Sequence, residues 1–172
     1  RQIPTDYHYK LFYSPKFKTW VNSFLPGKFE SEKHDKPRLI IPLLDKQGKM
    51  FGFQGRALDD DKIRYISIII DESKPRIFGL DTVDFNRRYY CFEGPIDSMF
   101  VENSIASCGG HLIRELRDFP RENCVICYDN EPRNKEIVKN MLTAVREGYS
   151  IFIWPNSIEQ KDVNDIIKKK VS

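Results

Sequence analysis

An α/β fold is predicted for this chain, with a parallel sheet flanked by helices and a smaller mixed α+β lobe of antiparallel strands ahead of it. Three features of the sequence predict it. The second half alternates short apolar runs with helical patterns, which implies parallel strands joined by right-handed crossovers. The first half carries a hairpin signature instead. Three acidic clusters, Glu93-Gly-Pro-Ile-Asp97, Asp129-Asn-Glu131 and Lys161-Asp162-Val-Asn164-Asp165, each come after an apolar run of the second half.

In the first half, Phe17, Trp20, Val21 and Phe24 fall at helical spacing before Pro26-Gly27. The stripe reads as core rather than as a platform for stacking bases. Residues 38–44, the turn Asp45-Lys-Gln-Gly48 and residues 49–58 form a hairpin pattern. Residues 62–70 supply a third antiparallel strand after the acidic turn Asp59-Asp60-Asp61. A boundary within residues 76–86 divides the chain into an N-terminal lobe, residues 1–85, and the domain that carries the three acidic clusters, residues 86–172. In that domain strands are expected at residues 88–92, 104–107, 123–128 and 150–154. Helices are expected at 96–102, 111–118, 132–148 and 162–171. The longest has Pro132 at its start and Gly148 at its end, with Ile137, Met141, Leu142 and Val145 as its apolar face.

With 172 residues and 40% hydrophobic content, the chain can bury one sizeable core, with room for two lobes. Its net charge of +3 is too small to establish nucleic-acid binding, and it averages an acidic site against basic stretches. The longest β-like apolar run, residues 66–70, is far too short to span a membrane. The first residue is Arg1 rather than Met and no signal peptide follows, which suggests an excised domain. Cys124-Val-Ile-Cys127 has the spacing of a metal or redox pair, but no second pair accompanies it. On a strand, positions three apart point to opposite faces, so these read as reduced packing thiols. His8, His34 and His111 are scattered. A reducing, cytoplasmic setting follows, the host cytoplasm if the protein is viral.

A carboxylate just past a parallel strand lies at the carboxyl edge, where open α/β sheets place their sites. Several carboxylates gathered there repel unless cations neutralise them. Hard oxygen donors without His or Cys suit Mg²⁺ or Mn²⁺. Each cluster alone has a structural explanation: Glu93 as a loop acid, Asp97 and Glu131 as first-turn charges, Asp162 and Asp165 as caps. Three of them at the strand ends of one sheet predict phosphate chemistry.

Glu93-Gly-x-x-Asp97, Tyr128-Asp129-x-Glu131 and Lys161-Asp162-x-Asn164 together resemble the Toprim domain shared by topoisomerases and primases. Upstream, Arg38-Leu-Ile-Ile-Pro42, Asp45-Lys-Gln-Gly48 and Gly52-Phe-Gln-Gly55-Arg56-Ala-Leu58 are similar to the lobe that precedes Toprim in bacterial-type primases. Arg64-Tyr-Ile-Ser67, Phe78-Gly-Leu80 and Asn103-Ser-Ile-Ala-Ser-Cys-Gly109 continue the resemblance, which covers roughly residues 38–170 and is nearest the primases of T-even-like phages. Glu131 stands where cellular primases usually have Asp, and Asn164 where a second carboxylate is frequent. The family's zinc-binding module and any extended helicase-binding tail are not found in the sequence.

The resemblance implies the catalytic core of a DNA primase, a nucleotidyltransferase that joins ribonucleoside triphosphates on single-stranded DNA during replication. It implies catalytic roles for Glu93, Asp97, Asp129 and Glu131. Metal binding, to Mg²⁺ or Mn²⁺, would fall to Glu93, Asp129, Glu131 and Asp162, with Glu93 as general base in the alternative and Asp165 less secure. Arg56, Arg64, Lys74 and Arg76 are the nucleotide- and template-binding candidates. For Arg56, Gly52 and Gly55 would let backbone approach a phosphate; otherwise it is a solvated strand-end Arg. Lys168-Lys169-Lys170 reads as a solvated helix end. A replicative helicase would be met through regions absent here. A Toprim nuclease or RNA-processing enzyme, or a non-catalytic nucleic-acid-binding module, would use the same carboxylates differently, and a topoisomerase needs more chain than is present.

Overall fold

Leu39, Ile40, Ile41, Leu43 and Leu44 make β2 apolar on both faces, and that double burial organises the molecule. The computed structural model describes residues 3–171, so Arg1 lies outside it. A 3-10 turn at Thr5–Lys10 precedes β1 (Phe12–Ser14) and α1 (Phe17–Asn22). Then come β2 (Arg38–Leu44), β3 (Met50–Ala57) and β4 (Tyr65–Ile69). These form a four-stranded antiparallel sheet in the order β1-β2-β3-β4.

Register decides which residue faces what. Ile40, Gly55 and Ile66 lie in one cross-strand row, Pro42, Phe53 and Ile68 in the next row on the same face. That face receives α1, whose Phe17 and Val21 pack on Ile40, Phe53 and Ile68. The Asp35 carboxylate accepts from the Lys18 and Thr19 amides, at 2.7 and 2.9 Å, and so satisfies the first turn of α1. Half of the predicted aromatic stripe is therefore core. Trp20 packs edge-on and Phe24 tilted against Phe53, but they stay 37% and 41% exposed.

The opposite face carries Leu39, Arg56 and Tyr65 in one row, Ile41, Gln54 and Ser67 in the next. A bulge where β2 passes from Leu43 to Leu44 leaves Phe51 unpaired between Met50 and Gly52. Phe51 thereby joins Ile41 and Leu43 in the core shared with the second sheet.

That second sheet comprises β5 (Ile77–Phe78), β6 (Tyr89–Phe92), β7 (Ser104–Ser107), β8 (Cys124–Cys127) and β9 (Ser150–Ile151), in the order β5-β7-β6-β8-β9. Four strands are parallel, as the β-α alternation predicts. The fifth, β5, pairs antiparallel with β7 at the edge and makes the sheet mixed. Two residues carry no periodicity, so this strand is invisible to pattern reading. Sheet membership changes between Ile69 and Ile77. Across the junction Ser67 Oγ donates to the Cys108 carbonyl at 2.9 Å, and the Gln54 amide donates to Ser67 Oγ at 3.1 Å.

The helices are α2 (Pro95–Ser98), α3 (Leu112–Glu115), α4 (Lys135–Arg146) and α5 (Val163–Val171). The first two are single turns, shorter than predicted. Helix α4 starts at Lys135 rather than Pro132, because Asn134 Oδ1 accepts the Glu136 amide at 3.0 Å and acts as its cap. Its buried line runs through Ile137, Met141 and Ala144, at i, i+4 and i+7, while Leu142 and Val145 are turned to solvent. All four cysteines are free and buried, in or next to the strands of this sheet. Burial pushes the Cys124 thiol up to about 11 and the Cys127 thiol to about 12.

Gly52 and Gly55 do not hold the backbone open for a phosphate. A side chain at Gly55 would run into the Phe17 ring at Cε2, and one at Gly52 would start 2.8 Å from the Ile68 carbonyl oxygen. Both glycines make room for the protein's own packing. Gly55→Ala should cost about 1–3 kcal/mol through overpacking against the Phe17 ring. Each kcal/mol should lower the melting temperature by roughly 2–4 °C, read by thermal denaturation.

Candidate active site

Strand β6 is the centre of the mixed sheet and ends at Phe92, paired with Cys127 at the end of β8. Parallel pairing brings the residues just beyond these ends together. The Asp129 amide donates to Glu93 Oε2 at 3.0 Å. After Glu93, the extended Gly94 leads into Pro95 at the first position of α2, which sets Asp97 in that helix's first turn.

Asn130 recruits the third acidic motif. Its side-chain amide donates to the carbonyls of Ile158 and Gln160, at 2.9 and 3.0 Å, and its backbone amide donates to that of Lys161 at 2.6 Å. The loop is thereby laid beside Asp129. Lys161 Nζ stands 3.2 Å from Asp129 Oδ2 and 3.3 Å from Glu131 Oε1. Asp162 Oδ1 accepts the Asp165 amide at 2.7 Å and its carbonyl accepts the Ile166 amide at 3.2 Å, so it caps α5. Asp97 Oδ1 accepts the Asn164 amide at 3.0 Å and ties α2 to α5. The capping explanation for Asp162 is correct in geometry, yet the same residue also faces the cleft described next.

A cleft of about 1360 Å³ runs between the sheets. Glu93, Asp97, Asp129, Lys161, Asp162 and Lys168 line one wall; Leu39, Arg56, Arg64 and Tyr65 line the other, with the turn at Asp59, Asp60 and Asp61. The row of Leu39, Arg56 and Tyr65 puts the Arg56 guanidinium 4.4 Å from the centre of the Tyr65 ring, a cation–π contact. Arg56 is 9% exposed, so it is not a solvated strand-end side chain. Arg38 holds the turn in place. Its guanidinium donates to the carbonyls of Gly55 and Ile63, at 3.1 and 2.9 Å, and pairs with Asp61 at 2.9 Å. A smaller hollow of about 410 Å³, lined by Ser107, His111, Tyr128 and Asn140, opens on Glu93 as well.

Of the predicted acids, Glu93, Asp97, Asp129 and Asp162 share the cleft, and Glu131 is joined to it through Lys161. Of the predicted cations, Arg56 and Arg64 face it. Lys74 instead pairs with Asp45 at 3.4 Å by the hairpin turn, and Arg76 pairs with Glu72 at 3.0 Å, neither of them in the cleft lining. Residue-by-residue reading passed over Lys161, Tyr65 and Lys168. The signal for Lys161 was its place immediately before Asp162; that for Tyr65 was its register opposite Arg56. Lys168 borders the cleft but is 47% exposed and pairs with Asp165 at 3.0 Å, in keeping with the solvated helix end expected for residues 168–170.

Electrostatics match a site short of positive charge. Lost hydration raises the pKa of Glu93, partly offset by the Asp129 amide. Lost hydration also raises that of Asp129, against the pull of Lys161. Desolvation lowers the Lys161 pKa, but its contacts with Asp129 and Glu131 more than offset this and leave it raised. Among the described residues no three His, Cys, Asp or Glu side chains converge closely enough to cage a metal. An all-oxygen donor pair that already holds an ammonium between its carboxylates nonetheless fits Mg²⁺ or Mn²⁺. Such ions bind through one or two carboxylates and complete their shell with water and substrate phosphates.

An antiparallel lobe ahead of a mixed sheet with an acidic carboxyl edge is the fold of the primase catalytic core. The chain superposes on the zinc-binding and RNA polymerase domains of Aquifex aeolicus primase with a TM-score of 0.63 and 20% identity, covering 92% of this chain and 47% of that one. It superposes equally, at 0.63 and 19% identity, on the RNA polymerase domain of Mycobacterium tuberculosis primase DnaG, solved with a double-stranded DNA oligomer bearing a 6-nucleotide overhang; there the coverage is 98% and 66%. Sequence narrows the relation: the chain is 39% identical over 172 residues to the DNA primase of Enterobacteria phage T4. The match covers 99% of this chain and 49% of the phage protein, so the chain spans about half of that relative. No family model matches the sequence.

The raised carboxylates make a testable stability statement. A carboxyl whose folded pKa lies above its unfolded value favours folding while protonated, and that contribution is lost as pH rises through the folded pKa. Glu93→Gln, whose side-chain oxygen can still accept the Asp129 amide, should raise the metal-free melting temperature at neutral pH. The gain should shrink as pH falls into the ordinary carboxylate range, measured by melting curves across pH.

Proposed function

We propose that this chain is the RNA-polymerising core of a DNA primase, which makes short RNA primers on single-stranded DNA during replication. The observation that carries it is the composition of the cleft: strand-end carboxylates on one wall face Arg56 and Arg64 on the other. Its relation to the phage T4 primase supports the reading.

The reaction joins a primer 3′-hydroxyl to the α-phosphate of a ribonucleoside triphosphate and releases pyrophosphate. Arg56, steadied by Tyr65, and Arg64 hold phosphates of nucleotide and template. Glu93, with Oε2 fixed by the Asp129 amide, takes the hydroxyl proton on Oε1. Asp129 and Glu131 would hold a divalent cation, Mg²⁺ or Mn²⁺, with Asp162 beside them; the cation's charge would offset that of the phosphates and lower the pKa of the hydroxyl. Asp97 positions the site by joining α2 to α5. A replicative helicase would be met by regions outside these residues, and the working compartment is the cytoplasm, of a host if the protein is viral. Among the described residues no helix is long and apolar enough to cross a membrane.

Incubation with labelled ribonucleotides, single-stranded template and Mg²⁺ tests the proposal. New primers are expected; template shortening would mean a nuclease, and no Mg²⁺-dependent change would mean a binding module. Asp129→Asn should lower synthesis by about 10²–10³-fold, with circular dichroism unchanged. Arg64→Ala removes an exposed phosphate contact. It should weaken template binding similarly across sequences and reduce the slope of log affinity against log salt by about one, read by fluorescence anisotropy.

A further inference from the structure

The carboxylates of the cleft are held in two different ways. Glu93 accepts a backbone amide from Asp129, Asp97 one from Asn164, and Asp162 one from Asp165. These contacts tie one part of the backbone to another and belong to the fold. Asp129 Oδ2 and Glu131 Oε1, by contrast, share a single ammonium, at 3.2 and 3.3 Å. The backbone that delivers it is fixed, since Asn130 binds the carbonyls of residues 158, 160 and 161. The side chain is not: Lys161 is 48% exposed and ends in four rotatable methylenes.

We infer that Lys161 is a tethered counter-cation of the metal-free site, which keeps Asp129 and Glu131 together and must withdraw from the same two oxygens for a divalent ion to bind. The inference rests on the metal role proposed above for those carboxylates. An ammonium donates to two oxygens at once but leaves no open position for a phosphate. A divalent ion engages the same oxygens and keeps positions for substrate. Because both ion pairs are partly solvated, each is weak, and their displacement costs little. Lys161 therefore sets how tightly metal binds without closing the site.

The test is Mn²⁺ affinity of the 172-residue chain, read from the free-Mn²⁺ signal in electron paramagnetic resonance, with no nucleotide present. Lys161→Met, which keeps most of the stem and removes the charge, should bind Mn²⁺ about three- to tenfold more tightly than wild type. Its metal-free melting temperature should fall, and Mn²⁺ should raise it by more than it raises wild type. Lys161→Arg, which keeps the charge, should retain wild-type affinity. Lys169→Met, outside the cleft lining, controls for net charge and should change nothing. Unchanged or weaker Mn²⁺ binding by Lys161→Met would overturn the inference, as would an equal gain in Lys169→Met. Mn²⁺ binding to neither wild type nor Lys161→Met would instead remove the metal role on which it rests.

Discussion

The two-residue alternation of β2, β3 and β4 is the constraint on which the molecule depends. One face of their sheet must accept the ring of Phe17, so Gly55 has no side chain. The other must fit the core of the mixed sheet, so Ile41 and Leu43 lie there and the bulge adds Phe51. At the open end of that same face, where the two sheets part, the row of Leu39, Arg56 and Tyr65 lines a cleft instead of a core. A one-residue slip in register would turn Arg56 into the apolar helix contact and put Gly55 at the cleft. The position of Arg56 is thus dictated by packing other residues away.

The acidic wall has an analogous origin. Parallel strands β6 and β8 end level with each other, so their following residues crowd at one edge. Backbone amides there satisfy some carboxylate oxygens but carry no full charge. Burial, which strips Glu93 and Asp129 of hydration, keeps their proton affinity raised, and Lys161 relieves only part of it. A stability-optimised protein would not gather these acids. The proposed cation and phosphate would offset that cost when bound.

Much of this could be read from residues alone, and the boundary is physical. The hairpin, the parallel β-α succession and the strand-end acids are signals of period and adjacency, which a sequence displays directly. The edge strand at Ile77–Phe78 is too short to have a period. Pro132 looked like a helix start, but the capping oxygen of Asn134 decided the matter two residues later. Strand register places Arg56 in the cleft lining, whereas Lys74 and Arg76, on a stretch with no period, stand beside Asp45 and Glu72. Lys161 was missed for a related reason: its partners lie some thirty positions away, and only the side chain of Asn130 brings them together.

The buried thiols have a practical consequence. Only a thiolate reacts with alkylating reagents, and Cys91, Cys108, Cys124 and Cys127 are both hidden from solvent and held protonated by their surroundings. Modification therefore waits for the mixed sheet to open. The rate at which a maleimide consumes these four sulfurs becomes a clock for opening of the sheet that carries the acidic wall, running without any engineered label. A nucleotide or metal that clasps the strand ends would slow that clock, and the degree of slowing would give the strength of the clasp in free-energy terms.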